Sequence, residues 1–411
     1  MDDKTLRKYA ELVVKVGLNI QPGQRLLIRL TPLEAAPLVH AIADFAYQAG
    51  ARLVDVQWRD EDLILSRFKY APRDSFNEIA QYRMDGLVQH LKNGDALLSI
   101  HAANPDLLNG QDPELVATMM QAYQKALLPA SSLIMRDAIN WLVISYPAKA
   151  WAQKIFPDTD PDTAVEKLWK VILHICRLYR DDPVAAWQQH NTKLKAVSAY
   201  LNERRYTALK YTAPGTDFTV GLPDGHIWKG AESVSEAGIR FMANIPTEEV
   251  FTMPHKDRAE GVVTASKPLN YGGSLIENFS LTFKDGKVVD VKAEKGEDTL
   301  RKLVEMDDGS CRLGEVALVP YSSPISQSGL LFYNTLFDEN AASHLALGRA
   351  YKFTMEDGTT MSDDEFAARG GNFSLTHVDF MVGNNHMDVD GITADGKREP
   401  VMRRGEWAFE V

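Results

Sequence analysis

The sequence predicts an α/β N-terminal half, built on an open and mainly parallel sheet, followed by an α+β, β-rich C-terminal half that carries the chemistry. Short apolar runs in the first half alternate with helical patterns, which is the signature of β-α-β units. Beyond residue 205 the texture changes to short alternating stretches punctuated by Asp-Gly turns. A chain of 411 residues, 45% hydrophobic and 25% charged, is long enough for two such cores. The expected domains are 1–205, a scaffold, and 206–411, the β-rich domain.

The chain opens on charged residues, and Leu6, Tyr9, Leu12, Val13 and Val16 fall at helical spacing rather than in one apolar block. That predicts a docking helix, not a signal peptide. Pro22-Gly23 then turns into a strand at 25–30, a helix at 33–48 closed by Ala49-Gly50-Ala51, and a strand at 52–58. Strands at 96–100 and 141–145 follow, separated by helical stretches around 74–92 and 112–129. From 163 to 205 the pattern is helical, with a break at Asp181-Asp182-Pro183. The first β-α turn, Leu30-Thr31-Pro32-Leu33-Glu34, carries no G-x-G-x-x-G, and no phosphate-cradling G-x-x-x-x-G-K-[S/T] occurs, so this half reads as scaffold and substrate wall. In the second half 218–222 and 279–283 are strands, with turns at Pro223-Asp224-Gly225, Asp285-Gly286 and Asp357-Gly358.

A formal charge of -11 argues against nucleic acid or an anionic membrane as partner. No segment approaches the roughly 20 apolar residues of a membrane span. The two cysteines, Cys176 and Cys311, form no C-x-x-C and no disulfide framework, which fits the reducing cytoplasm.

Metal chemistry is suggested by oxygen and nitrogen donors in apolar surroundings. His377 and Asp379 are two apart in a strand-like run and share a face. Residues 338–351 read as a helix capped by Asp338 or Asn340, in which His344 and Tyr351, two turns apart, also share a face. Glu315 opens the buried-strand pattern 314–320, where an unpaired carboxylate is costly. Glu248 and Glu249 begin a strand-like run ending at Pro254, and alternation turns only one of them towards a site. Taken singly, each donor has an ordinary explanation as a satisfied core residue, a cap or a solvated acid. His386-Met387-Asp388 repeats the His-x-Asp spacing, but the following Asp390-Gly391 fits a strand end and turn. His255 has the sequence position to touch substrate or to lie on a surface loop. No H-E-x-x-H helix, G-x-S-x-G elbow or C-x-x-C site is present.

Glu248-Glu249-Val250-Phe251-Thr252-Met253-Pro254, Gly314-Glu315-Val316, the run 338–348 and His377-Val378-Asp379-Phe380-Met381-Val382-Gly383 together resemble the aminopeptidase T/aminopeptidase S family of metalloaminopeptidases. The resemblance implies a two-metal site with Glu249, Glu315, His344, Tyr351, His377 and Asp379 as ligands, and a homodimer enclosing its active sites. Glu248 departs from the family pattern, in which a small residue is usual before the first ligand. With that ligand set, three carboxylates and a bridging hydroxide balance two divalent cations, and mixed O/N donors suit Zn, Co or Mn. The implied activity is removal of N-terminal residues from short peptides through that hydroxide, with Glu248 and Glu339 as candidate general bases. Two rivals remain open from sequence: another two-metal hydrolase such as a phosphoesterase, for which Arg349 is the one basic residue close by, and a peptide-binding protein whose metal is only a staple.

Overall fold

A computed structural model describes residues 2–271 and 274–411, and contacts divide the chain into two units. The first comprises 1–189 and 232–246; the second comprises 190–231 and 247–411.

The first unit is the α/β sheet. Helix α1 (Asp3–Leu12) is capped by Asp2, runs on into a π-helical turn at Val13–Leu18, and buries Tyr9, Leu12 and Val13 completely. Then follow β1 (Arg25–Pro32), α2 (Ala36–Gln48), β2 (Leu53–Arg59), α3 (Glu61–Tyr70), α4 (Gln81–Lys92), β3 (Ala96–His101), α5 (Pro113–Ile134), β4 (Trp141–Ser145), α6 (Lys149–Ile155) and α7 (Pro161–Ile175); α8 (Pro183–Arg204) starts in this unit and belongs to the second from residue 190. The strands are parallel in the order β2-β1-β3-β4. Leu27 and Leu97 on the sheet pack against Leu87 and Leu91 of α4 and Ala130 and Leu133 of α5. Three helices start on the same local signal: Asp112, Asp160 and Asp182 each accept backbone N–H bonds, and each is followed by a proline in the first turn. Helix α3 leaves no mark in the apolar pattern of the sequence because it buries none of its residues. The stretch from 74 is not continuous helix: a 3-10 turn at Arg73–Asn77 precedes α4. Residues 232–246 belong here because the backbone of Val143 in β4 bonds to both Ala243 and Ile245, extending the sheet edge. They also contain the hairpin of β7 (Glu232–Val234) and β8 (Arg240–Met242), numbered after β5 (Ala208–Ala213) and β6 (Thr216–Gly221) of the second unit.

In the second unit β5 and β6 join β10 (Ala259–Thr264), β11 (Leu269–Tyr271), β12 (Ser274–Lys284), β13 (Lys287–Lys295), β17 (Asp388–Ile392), β18 (Arg398–Arg403) and β19 (Glu406–Trp407) in one antiparallel sheet. A second, four-stranded antiparallel sheet contains β9 (Val250–Thr252), β14 (Leu313–Leu318), β15 (His344–Gly348) and β16 (His377–Met381), in the order β16-β15-β14-β9. Phe380 of β16 meets Phe279 of β12 with ring centroids 5.9 Å apart, so the two sheets share apolar packing.

The helix expected over 338–351 does not form. One short turn at Thr335–Asp338, capped by Asn334, and a 3-10 turn at Glu339–Ala341 give way to β15, of which His344 is the first residue. Strand pairing on both sides, with β14 and β16, outweighs a helical propensity that five residues cannot realise alone. Asp390-Gly391 likewise lies within β17 rather than in a turn, because both residues pair with β5 on one side and β18 on the other; the Tyr206 ring leaves no room for a Cβ at Gly391. Among the described residues no helix is long and apolar enough to cross a membrane.

Candidate metal centre

The ladder of the four-stranded sheet brings the donors to one face. Glu315 pairs with Ala346 and Ala346 with Asp379; Ala317 pairs with His344; Gly348 pairs with His377. Directly paired residues project to the same side, as do i and i+2 along a strand, so Glu315, His344, His377 and Asp379 share that side. Ala317, Ala346 and Gly348 lie between them and leave the space above the sheet open. Glu249 reaches the same cluster from the residue before β9. Gly314 makes the bulge that sets the register of Glu315: a Cβ there would fall 2.3 Å from the Arg349 carbonyl oxygen and 2.4 Å from that of Gly348.

The donors fall into two groups that share one residue. Glu249, Glu315 and His344 form one, Glu315, His377 and Asp379 the other, and in each the ligand atoms lie within 4.8 Å of one another. Glu315 divides its oxygens between them, Oε1 lying 3.4 Å from His344 Nε2 and Oε2 3.7 Å from His377 Nε2. His344 Nε2 is also 3.3 Å from Glu249, and His377 Nε2 3.4 Å from Asp379. Each imidazole is turned by its other nitrogen: Nδ1–H of His344 donates to the Ala342 carbonyl at 3.1 Å, and that of His377 to the Arg349 carbonyl at 2.7 Å. A carbonyl only accepts, so the tautomer leaves both Nε2 atoms facing the acids.

Tyr351 joins them by a route the sequence does not suggest. It follows β15 in a loop, with its ring centroid 4.8 Å from that of His377. Burial first, then the charges of Glu315 and Asp379, push its phenol well above the usual range.

Glu248 and Glu249 diverge as alternation predicts, but neither is solvated. Glu248 is 3% exposed, its Oε2 lies 3.5 Å from His190 Nε2, and its N–H donates to Asn340 Oδ1 at 2.7 Å. Glu339, in the 3-10 turn beside Asn340, is within electrostatic reach of Glu249, Asp379, His344 and Glu315; burial and the first two of these charges raise it well above a normal carboxyl. His386 is exposed, and neither it nor Asp388, which accepts the Arg404 N–H, joins a ligand group among the described residues. His255 is a half-buried loop residue whose Nδ1 accepts the Asp257 N–H. Arg349 spends its guanidinium on the Ser374 carbonyl and the face of Phe373, which removes the cation a phosphoesterase would use as a clamp.

A pair of cations fits this cluster. Glu249 Oε2 and Asp379 Oδ1 are buried with no hydrogen-bond partner among the described residues, and the donors are carboxylate, imidazole and phenol without thiolate. Without metal the site keeps protons instead. Burial works to lower His344, but its bond to Glu315 and the charges of Glu249 and Asp379 outweigh it and carry the pKa up to about 10. Burial is likewise outweighed at His377 by Asp379 and Glu315, giving about 9. Burial, seconded by Glu315, raises Glu249 to about 7 against the pull of His344, whereas His377 and His344 overcome burial and hold Asp379 low. Below these values an imidazole must shed its proton to bind metal, so affinity rises with pH. Cation uptake at neutral pH should therefore release protons, and the apparent affinity should climb between about pH 6 and 9. Calorimetry in buffers of different ionisation enthalpy reads both; uptake without proton release would contradict the assigned imidazole ligands.

Fold and site together define a metal-dependent hydrolase with two ligand groups bridged by one carboxylate. Residues 2–407 match the thermophilic metalloprotease (M29) family, and the chain belongs to it. It is 53% identical to aminopeptidase 2 of Geobacillus stearothermophilus over 100% of this chain and 99% of that one. It is 49% identical to aminopeptidase AmpS of Bacillus subtilis over 98% of each. The solved structure of wild-type AmpT from Thermus thermophilus matches with a TM-score of 0.94 at 43% identity, covering 99% of both chains.

Proposed function

We propose that this metal-dependent aminopeptidase removes N-terminal residues from short peptides, with Glu249, Glu315, His344, Tyr351, His377 and Asp379 holding two divalent cations, Zn, Co or Mn. The observation that carries the reading is the division of Glu315 between two ligand groups on one sheet face. Cations bound there would act as Lewis acids on the scissile carbonyl and make the attacking water acidic near neutral pH. A cation with an open position would take the free α-amine of a peptide as a ligand, which accounts for cleavage at the end of a chain rather than within it. Glu339 takes the proton of the attacking water and returns it to the leaving amine. His344 and His377 are kept in place by the Ala342 and Arg349 carbonyls, so the donors keep their geometry through the reaction. The reading includes a homodimer, from the family resemblance, and a cytoplasmic setting, supported by two free cysteines.

A panel of aminoacyl amides tests it. Activity should vanish on prolonged chelation, return with Zn, Co or Mn, and be lost when the same substrates are N-acetylated. Undiminished activity after chelation, or cleavage of acetylated substrates at the same rate, would sink the proposal.

A further inference from the structure

The first unit holds a second polar cluster, at the carboxyl ends of its parallel strands. In the order β2-β1-β3-β4 the winding reverses between β1 and β3, and the crevice outside the strand ends at such a point is where open α/β sheets bind ligands. Arg29 of β1 pairs with Ser99 of β3, so Arg29, Ser99 and His101 project to one side, the side that α4 and α5 cover. Arg29 Nη2 donates to the Tyr123 hydroxyl of α5 at 2.7 Å. Arg59 ends β2 on that same side, four residues on from Asp55, which pairs with Leu27. The ladder slips between Ile28 and Thr31, where Leu30 adopts φ 57°.

The two guanidiniums are incompletely satisfied. Arg29 is 7% exposed. Arg29 Nε and Arg59 Nε are buried with no hydrogen-bond partner, and neither arginine forms an ion pair, among the described residues. The neighbouring acids are committed elsewhere: Asp60 caps α3, and Glu61 accepts the Asn104 N–H. Burial, then the charges of Arg29 and Arg59, hold His101 down at about 4, so its imidazole is neutral at pH 7. Two guanidiniums on one side of the sheet, with no carboxylate paired to either among the described residues, lack a negative group.

We propose that Arg29 and Arg59, with His101 on the same side of the sheet, form a binding site for a small oxyanion, a carboxylate or a phosphate group. The guanidinium fork matches either in geometry and charge. All three residues lie in the first unit, whereas the proposed metal ligands lie in the second.

The test titrates the metal-loaded protein with sodium phosphate and, separately, sodium acetate at ionic strength held constant with chloride, followed by calorimetry and melting temperature. Saturable binding of at least one is expected, and the stronger of the two identifies the oxyanion. Arg59→Gln, at a partly exposed position, should weaken that binding about tenfold or more. Arg59→Lys, which keeps the charge and removes the fork, should weaken it severalfold and serves if Arg59→Gln misfolds. Both variants should keep wild-type circular dichroism and metal content. No saturable binding of either anion, or wild-type affinity in every folded variant, overturns the proposal.

Discussion

Glu315→Gln should empty both metal positions at once. Its two carboxylate oxygens face different imidazoles, 3.4 Å from His344 Nε2 and 3.7 Å from His377 Nε2, so one neutralised side chain weakens both ligand groups. Activity should fall by more than the roughly 10- to 100-fold typical of residues that merely orient ligands. Metal analysis on the same samples should show a loss of both ions. Asp379→Asn and Glu249→Gln each touch a single group, so each should lose one ion in preference to the other. His386→Ala, outside both groups, should retain full metal and full activity. Retention of both ions in Glu315→Gln, or loss of metal in His386→Ala, would show that the centre is built from other residues.

The second large effect is expected at Glu339. The 3-10 turn carrying it is pinned to the ligand segment through Asn340, whose Oδ1 accepts the Glu248 N–H and whose Nδ2 donates to the Leu336 carbonyl at 3.2 Å. Glu339→Gln keeps shape and hydrogen-bonding capacity but cannot accept a proton, so turnover should drop by about 10² to 10⁴ while both ions stay bound. Glu248 lies beside His190 and Asn340, so Glu248→Gln should perturb the approach of Glu249 and change turnover by no more than about tenfold. The reverse ranking, with metal retained in both, would move the proton-transfer role to Glu248.

Much of this protein is legible in its amino-acid order. The β-α-β periodicity of the first half, the three Asp-Pro helix starts and the His-x-Asp spacing of β16 depend on neighbours within a few residues, and local sequence records such relations directly. The resemblance to metalloaminopeptidases rests on the same kind of short run, and the M29 match extends it over residues 2–407. The choice of strand over helix at His344 is not legible, because the run 344–348 suits either and only pairing with β14 and β16 decides. Nor is the burial of Glu248, which depends on His190 and Asn340, far away along the chain. The cluster of Arg29, Arg59 and His101 is invisible for the same reason: each belongs to a different strand, and parallel neighbours are joined by long crossovers that separate them in sequence. Sequence determines which elements form and which donors are available; the division of Glu315 between two imidazoles comes from antiparallel register, since which side chains share a face across strands is fixed by tertiary hydrogen bonding.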